Sequence, residues 1–379
     1  MTPTIGGSIA EHFGQVKDPR NLGVEHLLID IITIAVCAVV CGADNWVEIA
    51  EFGQAKENWL RTFLILPNGI PSHDTFGRVF GLIEPHEFQN GFGSWMIAIS
   101  QISAGQIIAI DGKRLRRSHD GRLGKAAIHM VSAWASENRL VLGQVKTDEK
   151  SNEITAIPEL LKVLAIQGCI VTIDAMGCQT EIAKLIIEAE ADYVLALKGN
   201  QGTLHDHVQD LFADAQALNF KQVAHDFVQT IDKNHGRLEI RRHWTISEPE
   251  FIALADPEGK WANLQSIGMV EAQRWTADKS TSETRYYISS LAGDACEFGL
   301  AVRSHWHIEN KVHWVLDVAF REDLSRVRTG YAAENFAVLR HIALNLLQHE
   351  TSATCGIKAK RLKAAWNEAY LLKVLSSLT

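Results

Sequence analysis

Only 8 of the 379 residues are proline and 27 are glycine, too few for a collagen-like chain, while a hydrophobic share of 46% is more than a disordered chain carries. Cysteine is sparse as well. The six cysteines, at 37, 41, 169, 178, 296 and 355, include no CxxC pair and no dense spacing, which excludes a zinc ribbon and a disulfide framework. Packed, reduced thiols in a cytoplasmic protein are expected. Long apolar runs are missing too: the strongest, 27–42 (LLIDIITIAVCAVVCG), is shorter than the ~20 residues that cross a bilayer and contains Asp30. It reads as a buried core helix, and no membrane partner is expected. The start, MTPTIGGSIAEHFGQ, has neither the basic nor the apolar segment of a secretory signal. Finally, positive charge is in deficit, 37 Lys and Arg against 45 Asp and Glu, a formal net charge of −8. That sign excludes a protein that coats nucleic acid without specificity, because neutralising phosphates takes a surplus of Lys and Arg.

What is present is a globular chain of two or three domains, at ~100–200 residues per domain. Up to about residue 100 the apolar residues recur at three and four spacings, as in Val47, Ile49, Phe52, Trp59, Leu60, Phe63 and Leu64, which predicts helices. A turn at Pro67, Asn68 and Gly69, a helix start at Pro71 and Ser72, and a stripe of Phe76, Val79, Phe80 and Ile83 follow. That pattern fits a DNA-reading helix pair and fits a plain helical bundle equally well. From residue 106 the character changes. The strand QIIAID, two strands at 126–135 and 139–147, a helix at 153–165, the strand CIVTID (169–174), a helix at 179–191 and the strand YVLALK (193–198) predict an α/β fold, a mixed sheet flanked by helices. Residues 201–292 read as a β-rich insertion, helices resume at 297–319 and 331–349, and a short basic tail with Lys358, Lys360, Arg361 and Lys363 ends the chain.

Two acids end predicted strands, Asp111 in IIAIDGK and Asp174 in IVTIDAMG. Ligands bind at that edge of an open α/β sheet, and paired carboxylates suit Mg²⁺, which takes oxygen ligands and substrate phosphates. Either residue alone is more often a turn or cap; the pair is what points to a site. A third acid is available at Glu309, on a helix with His305, His313 and Asp317 at i+4 spacings. The same face admits a zinc reading through His305, Glu309 and His313, although i and i+8 lie about 12 Å apart along a helix, and a purely structural reading with satisfied histidines. Basic residues gather beside these acids. The run 113–125 holds six Lys and Arg and one acid; Lys233, Arg237, Arg241 and Arg242 crowd the β-rich segment; Arg321, Arg326 and Arg328 follow Glu309. Each cluster alone is commonly a solvated surface, whereas together they suit a channel for a phosphodiester.

These motifs together, DPR (18–20), CGADNWVEIAEFG (41–53), PSHDTFGRVF (71–80), IDGKRLRRS (110–118), TIDAMGCQ (172–179), ALKGNQ (196–201) and SHWHIENKVHWVLDVAFRED (304–323), cover most of the chain. In them the sequence resembles the DDE transposases of bacterial insertion sequences, most closely the H-repeat-associated type. The resemblance implies an RNase H-like catalytic core, 105–200 plus 293–349, interrupted by the β-rich insertion 201–292 and preceded by an all-α domain, 1–104, that helps bind the element's ends. It implies catalytic, metal-holding acids at Asp111, Asp174 and Glu309, two Mg²⁺ ions with Mn²⁺ able to substitute, and double-stranded DNA as partner, both terminal inverted repeats and target, with self-association on the DNA. It places DNA contacts at Lys113, Arg114, Arg116, Arg117, Lys198, Arg237, Arg241, Arg303, His305, Lys311 and His313. One departure stands out. The Tyr-x2-Arg-x3-Glu-x6-Lys signature of the wider branch is absent, since the Arg position relative to Glu309 is His305 and the Lys position is Leu316. An inactive, transposase-derived DNA-binding protein is the alternative within the same resemblance.

Overall fold

The computed structural model describes residues 5–21, 24–100, 102–119, 127–147, 153–234, 236–276 and 279–377. Residues 120–125 of the basic run therefore lie outside the described residues. Helices α1 (Ile5–Phe13), α2 (Leu28–Val40), α3 (Trp46–Ala55), α4 (Glu57–Leu60), α5 (His73–Leu82) and α6 (Pro85–Ile99) open the chain. Strands β1 (Ile107–Arg114), β2 (His129–Ala135) and β3 (Leu140–Lys146) follow, then α7 (Glu153–Val163), β4 (Ile170–Ile173), α8 (Thr180–Glu188) and β5 (Asp192–Leu197). Next come α9 (Gly202–Ala217), β6 (His225–Asn234), β7 (Arg237–Ile246), α10 (Pro249–Ala255), β8 (Ser266–Trp275) and β9 (Ser280–Ser289). Helix α11 (Ala295–Ile308) runs into a π-helical turn, Glu309–His313, and then α12 (Trp314–Ala319), α13 (Ala332–His349), α14 (Ile357–Trp366) and α15 (Glu368–Leu375) complete the fold. Among the described residues, no helix is long and apolar enough to cross a membrane.

The chain divides into two compact units, both discontinuous. One gathers residues 1–101, 112–152 and 309–379, and the other 102–111 and 153–308. The N-terminal helices share a unit with residues 112–152 and 309–379. The reason is α13. Its residues from Ala332 to Leu347 are all buried, so the helix is covered on every side. Helices α2, α5 and α6, strand β3 and helices α14 and α15 do this. Its polar residues serve neighbouring backbone: Asn345 pairs with both the N–H and the C=O of Val141 at 2.9 Å, and Asn335 donates to the carbonyls of Phe80 and Ile83 at the end of α5. Gly330 enters α13 with φ +54° against Gly81, whose carbonyl oxygen a Cβ would meet at 2.2 Å.

Helix α5 begins where the sequence indicates, with Ser72 accepting from the N–H of Thr75. Its stripe, Phe76, Val79 and Phe80, is fully buried, as is Ile83 just beyond its end. The turn at Pro67, Asn68 and Gly69 does not join a close helix pair, since twelve residues separate the single turn α4 from α5. The run 27–42 becomes α2, buried from Asp30 to Val40, and the Asp30 carboxylate accepts from the N–H of Leu66 at 2.9 Å.

The basic tail is not a free tail. Lys360 and Arg361 are buried: Lys360 donates to the Leu347 and Glu350 carbonyls at the end of α13. The Arg361 guanidinium reaches the carbonyls of Val39, Ala43 and Ala319 and the carboxylate of Asp44. Helix ends leave carbonyls without internal partners, and these two cations satisfy them. A second buried group joins Glu322, Lys113 and Arg340, with Glu322 accepting from Lys113 at 2.8 Å and from Arg340 at 3.5 Å. Burial works against the Glu322 charge, yet Lys113 and Arg340 more than offset it and hold the carboxyl at about 2.

In the other unit the sheet runs β1-β4-β5-β9-β8-β7-β6. Strands β1, β4 and β5 are parallel and the rest antiparallel, so the sheet is mixed, as expected. The segment read as a β-rich insertion begins with the sixteen-residue helix α9. Its strands extend the same sheet, because β9 pairs with β5 from Val194↔Ser289 to Leu197↔Tyr286.

Two outcomes test this packing. Arg361→Ala is expected to lower the unfolding free energy by about 3 kcal/mol, the scale for removing one partner from a buried charged group; an unchanged denaturation midpoint would show that the carbonyls find other donors. Because the folded Glu322 carboxyl sits at about 2, below its ordinary 4.5, its contribution is complete above about pH 4.5 and disappears as pH falls toward 2. Urea titrations at stepped pH should show a shallower acid-side loss of stability in Glu322→Gln than in the wild type.

Candidate metal centre

Strands β1 and β4 pair in parallel from Ile107↔Ile170 to Ile110↔Ile173. The next residue on each is an aspartate, so Asp111 and Asp174 stand side by side at the carboxyl edge, on strands about 4.8 Å apart. The residues behind them, Ile108, Ala109 and Ile110 on β1 and all of β4, are buried and, apart from Thr172, apolar, and they turn both acids out of the core. Glu153, the first residue of α7, brings a third carboxylate. One ligand oxygen from each of Asp111, Glu153 and Asp174 lies within 4.8 Å of the others, and all three residues are half-buried.

A tight turn holds Asp174. Its Oδ1 accepts from the N–H groups of Met176 at 2.9 Å and Gly177 at 3.3 Å, capping a 3₁₀ turn at Ala175–Gly177. Position 177 must be glycine, because a Cβ there would sit 2.3 Å from Ile173 Cγ2 and 2.7 Å from Ile157 Cδ1. The motif ALKGNQ closes the turn from the other side: Asn200 donates to the Ala175 carbonyl at 2.6 Å, and Gln201 to the Cys178 carbonyl at 2.9 Å. Two motifs that are separate in sequence thus build one support.

Burial first, and the Glu153 charge second, push the Asp174 carboxyl above its ordinary value. The Gly177 and Met176 N–H groups and the Lys198 ammonium pull the other way without cancelling that rise. A bound cation relieves such repulsion. Oxygen donors without nitrogen or sulfur suit hard ions such as Mg²⁺ and Mn²⁺ better than zinc. The residues therefore fit a hard divalent metal.

Glu153 escaped sequence reading. It opens a predicted helix, where an acidic side chain is commonplace because it complements the helix dipole, and nothing else marked it. Glu309 belongs to the other unit. It is exposed at the first position of the π turn, with Val312 and His313 buried behind it. That turn takes an extra residue per turn and breaks the i+4 ladder expected from His305 to Asp317.

The expected DNA contacts divide into two groups. Some point inward. His305 Nδ1 lies 3.1 Å from the Thr172 hydroxyl, and burial, aided by Arg285, lowers its ring to about 4, so it is neutral. It braces β4, in keeping with the structural reading of a satisfied histidine. His313 is buried, and Lys113 is ion-paired to Asp317 and Glu322 with its side chain 11% exposed. The others lie at the surface: Arg114, Arg117, Lys198 and Lys311 are exposed, and Arg116 is exposed beside Asp323. Arg237 and Arg303 are exposed and Arg241 is half-buried. With Arg274 they surround two carboxylates, Glu239 and Asp232. Four guanidiniums to two acids leave that patch positive.

The family described as Transposase DDE domain matches residues 102–346, and the one described as DDE_Tnp_1-associated matches residues 10–96. "Putative transposase YncI" of Escherichia coli O157:H7 is 45% identical over 375 residues, 98% of this chain and 95% of that protein. "H repeat-associated putative transposase YhhI" of Escherichia coli K12 is 42% identical over 373 residues, 97% of each chain. Among solved structures, the piggyBac transposase synaptic complex with hairpin DNA aligns with a TM-score of 0.40 and 10% identity over 98% of this chain and 79% of that one, too weakly to add to the assignment. Two carboxylates set side by side by a parallel register, in a chain matched by this family along most of its length, make the protein a member of the DDE transposase family, of the H-repeat-associated type.

Proposed function

We propose that the protein is an active transposase that binds the terminal inverted repeats of its element, as self-associated copies on double-stranded DNA in the cytoplasm, and cleaves and transfers DNA strands with divalent metal. The observation that carries this reading is the placement of Asp111 and Asp174 one residue beyond the last paired position of adjacent parallel strands. The β1-β4-β5 order with acids at the strand ends supports an RNase H-like core. Asp111 and Asp174 hold the metal, Mg²⁺ with Mn²⁺ as substitute, and Glu153 adds a third nearby carboxylate. The sequence resemblance makes Glu309 the third catalytic acid. When bound, the metal supplies charge neutralisation at the scissile phosphate and activates the attacking water or 3′-hydroxyl.

The chain's own residues do the rest. The N–H groups of Met176 and Gly177 orient Asp174, and the Asn200 and Gln201 amides keep that turn in place. Arg114, Arg116, Arg117, Lys198, Arg237, Arg241, Arg303 and Lys311 supply positive charge to DNA phosphates. Since the net charge of the chain is −8, attraction is local and binding weakens steeply with salt.

Asp111→Asn or Asp174→Asn should abolish cleavage of a duplex carrying the element's end while gel-shift binding persists; cleavage at the wild-type rate in either variant would overturn the reading. The two glutamates separate by a second pair of measurements. Glu153→Gln is expected to weaken Mn²⁺ binding about tenfold, the lower end of the range for losing a supporting group at a metal site, as read by electron paramagnetic resonance. Glu309→Gln should stop cleavage and spare end binding; the reverse assignment follows if Glu309→Gln cleaves normally and Glu153→Gln does not.

A further inference from the structure

Lys113 follows Asp111 by two residues on β1, inside a run expected to face DNA. Its ammonium is instead enclosed and meets three acceptors: Asp317 Oδ1 at 2.5 Å, Glu322 Oε2 at 2.8 Å and, at the long distance of 3.5 Å, the His313 carbonyl. These acceptors are spread along one segment. His313 ends the π turn, Asp317 lies on α12, and Glu322 opens the short 3₁₀ turn that follows.

Neutralising Glu322 does not require all of this. Arg340 already contacts its other carboxylate oxygen, and Asp317 has a side chain one-third exposed, so water can solvate it. A lysine whose task was charge balance would need one carboxylate. Gripping a segment at its start, middle and end makes that segment a single body with the end of β1. The element in need of such support is the π turn, a form that is rare in helices and persists where surrounding contacts hold it. Its first residue is Glu309, exposed, while Val312 and His313 anchor it from beneath.

We propose that Lys113 is a positioning residue for the transposition reaction: by gripping Asp317 and Glu322 it holds the Glu309–His313 turn in the conformation that presents Glu309. This rests on Glu309 being the third catalytic acid. It also reassigns the lysine of IDGKRLRRS from DNA contact to internal strut.

The test uses full-length protein with Lys113→Met, which leaves Glu322 paired to Arg340, and Asp317→Asn, which keeps the Lys113–Glu322 pair and weakens the grip on α12. Hydrogen exchange of peptides spanning 309–322, thermal melting, gel-shift binding of an end duplex and Mg²⁺-dependent cleavage at saturating DNA are measured on each. Lys113→Met is expected to speed exchange in 309–322 alone, leave end binding and KM unchanged, and lower kcat about a hundredfold, the scale of a 1 Å misplacement of a reacting group; Asp317→Asn should do the same to a smaller degree. An unchanged kcat, a loss of end binding, or a fall in kcat with no change in 309–322 exchange would overturn the proposal. Should Lys113→Met fail to fold, Asp317→Asn decides by the same criteria. If the wild type cleaves no DNA, the transposase reading fails by itself, and the exchange measurement still decides whether Lys113 orders the turn.

Discussion

The pairing of β1 with β4 is the constraint on which the site depends. A parallel ladder sets residues level with one another, so an Ile-Asp step at the last paired position of each strand delivers two carboxylates to the same edge. Gathering carboxylates at one half-buried edge is electrostatically unfavourable: burial first, and the Glu153 charge second, raise the Asp174 pKa. The fold tolerates the crowding because the residues behind the acids, from Ile108 to Ile110 and from Ile170 to Ile173, are buried and, apart from Thr172, apolar, so that their burial dominates the local energetics. A one-residue slip would offset the two acids along the strands by about 3.3 Å, so the register that forms the sheet also sets the geometry of the site.

Around that edge, precision comes from backbone hydrogen bonds more than from charge. Asp174 is aimed by two N–H groups, and the turn that supplies them is closed by the Asn200 and Gln201 amides. The other unit uses the same device with cations, where Lys360 and Arg361 terminate helices by donating to their last carbonyls. Buried charge in this protein is seldom idle. Each such group either completes a helix end or ties distant segments together, as Glu322 does with Lys113 and Arg340.

Most secondary structure was legible because its physical cause is local. Alternation and apolar runs mark β1 to β5, three and four spacings mark α7, α8 and α13, and Ser72 marks the start of α5. The two aspartates were legible for the same reason, each being the polar residue that ends an apolar run, although β1 itself continues to Arg114. Glu153 was not, since an acid at a helix start looks ordinary until the fold brings it beside Asp111 and Asp174. Lys113, His305 and Arg361 have inward partners that the sequence did not mark. A cation or imidazole in a polar stretch looks like surface, and only the packing of remote segments reveals a buried partner such as Asp317, Thr172 or the Val39 carbonyl.

The sequence by itself determined the order and type of most elements, the acids at the strand ends and the family to which the chain belongs, because periodicity and motif spacing are properties of short stretches. Only the tertiary structure decided which residues share a unit, how the strands after α9 extend one sheet, and which charged side chains face inward. Those outcomes depend on contacts between residues far apart in the chain. The π turn at Glu309 is of the same kind, since a helix that continues smoothly by propensity is remade by what grips it.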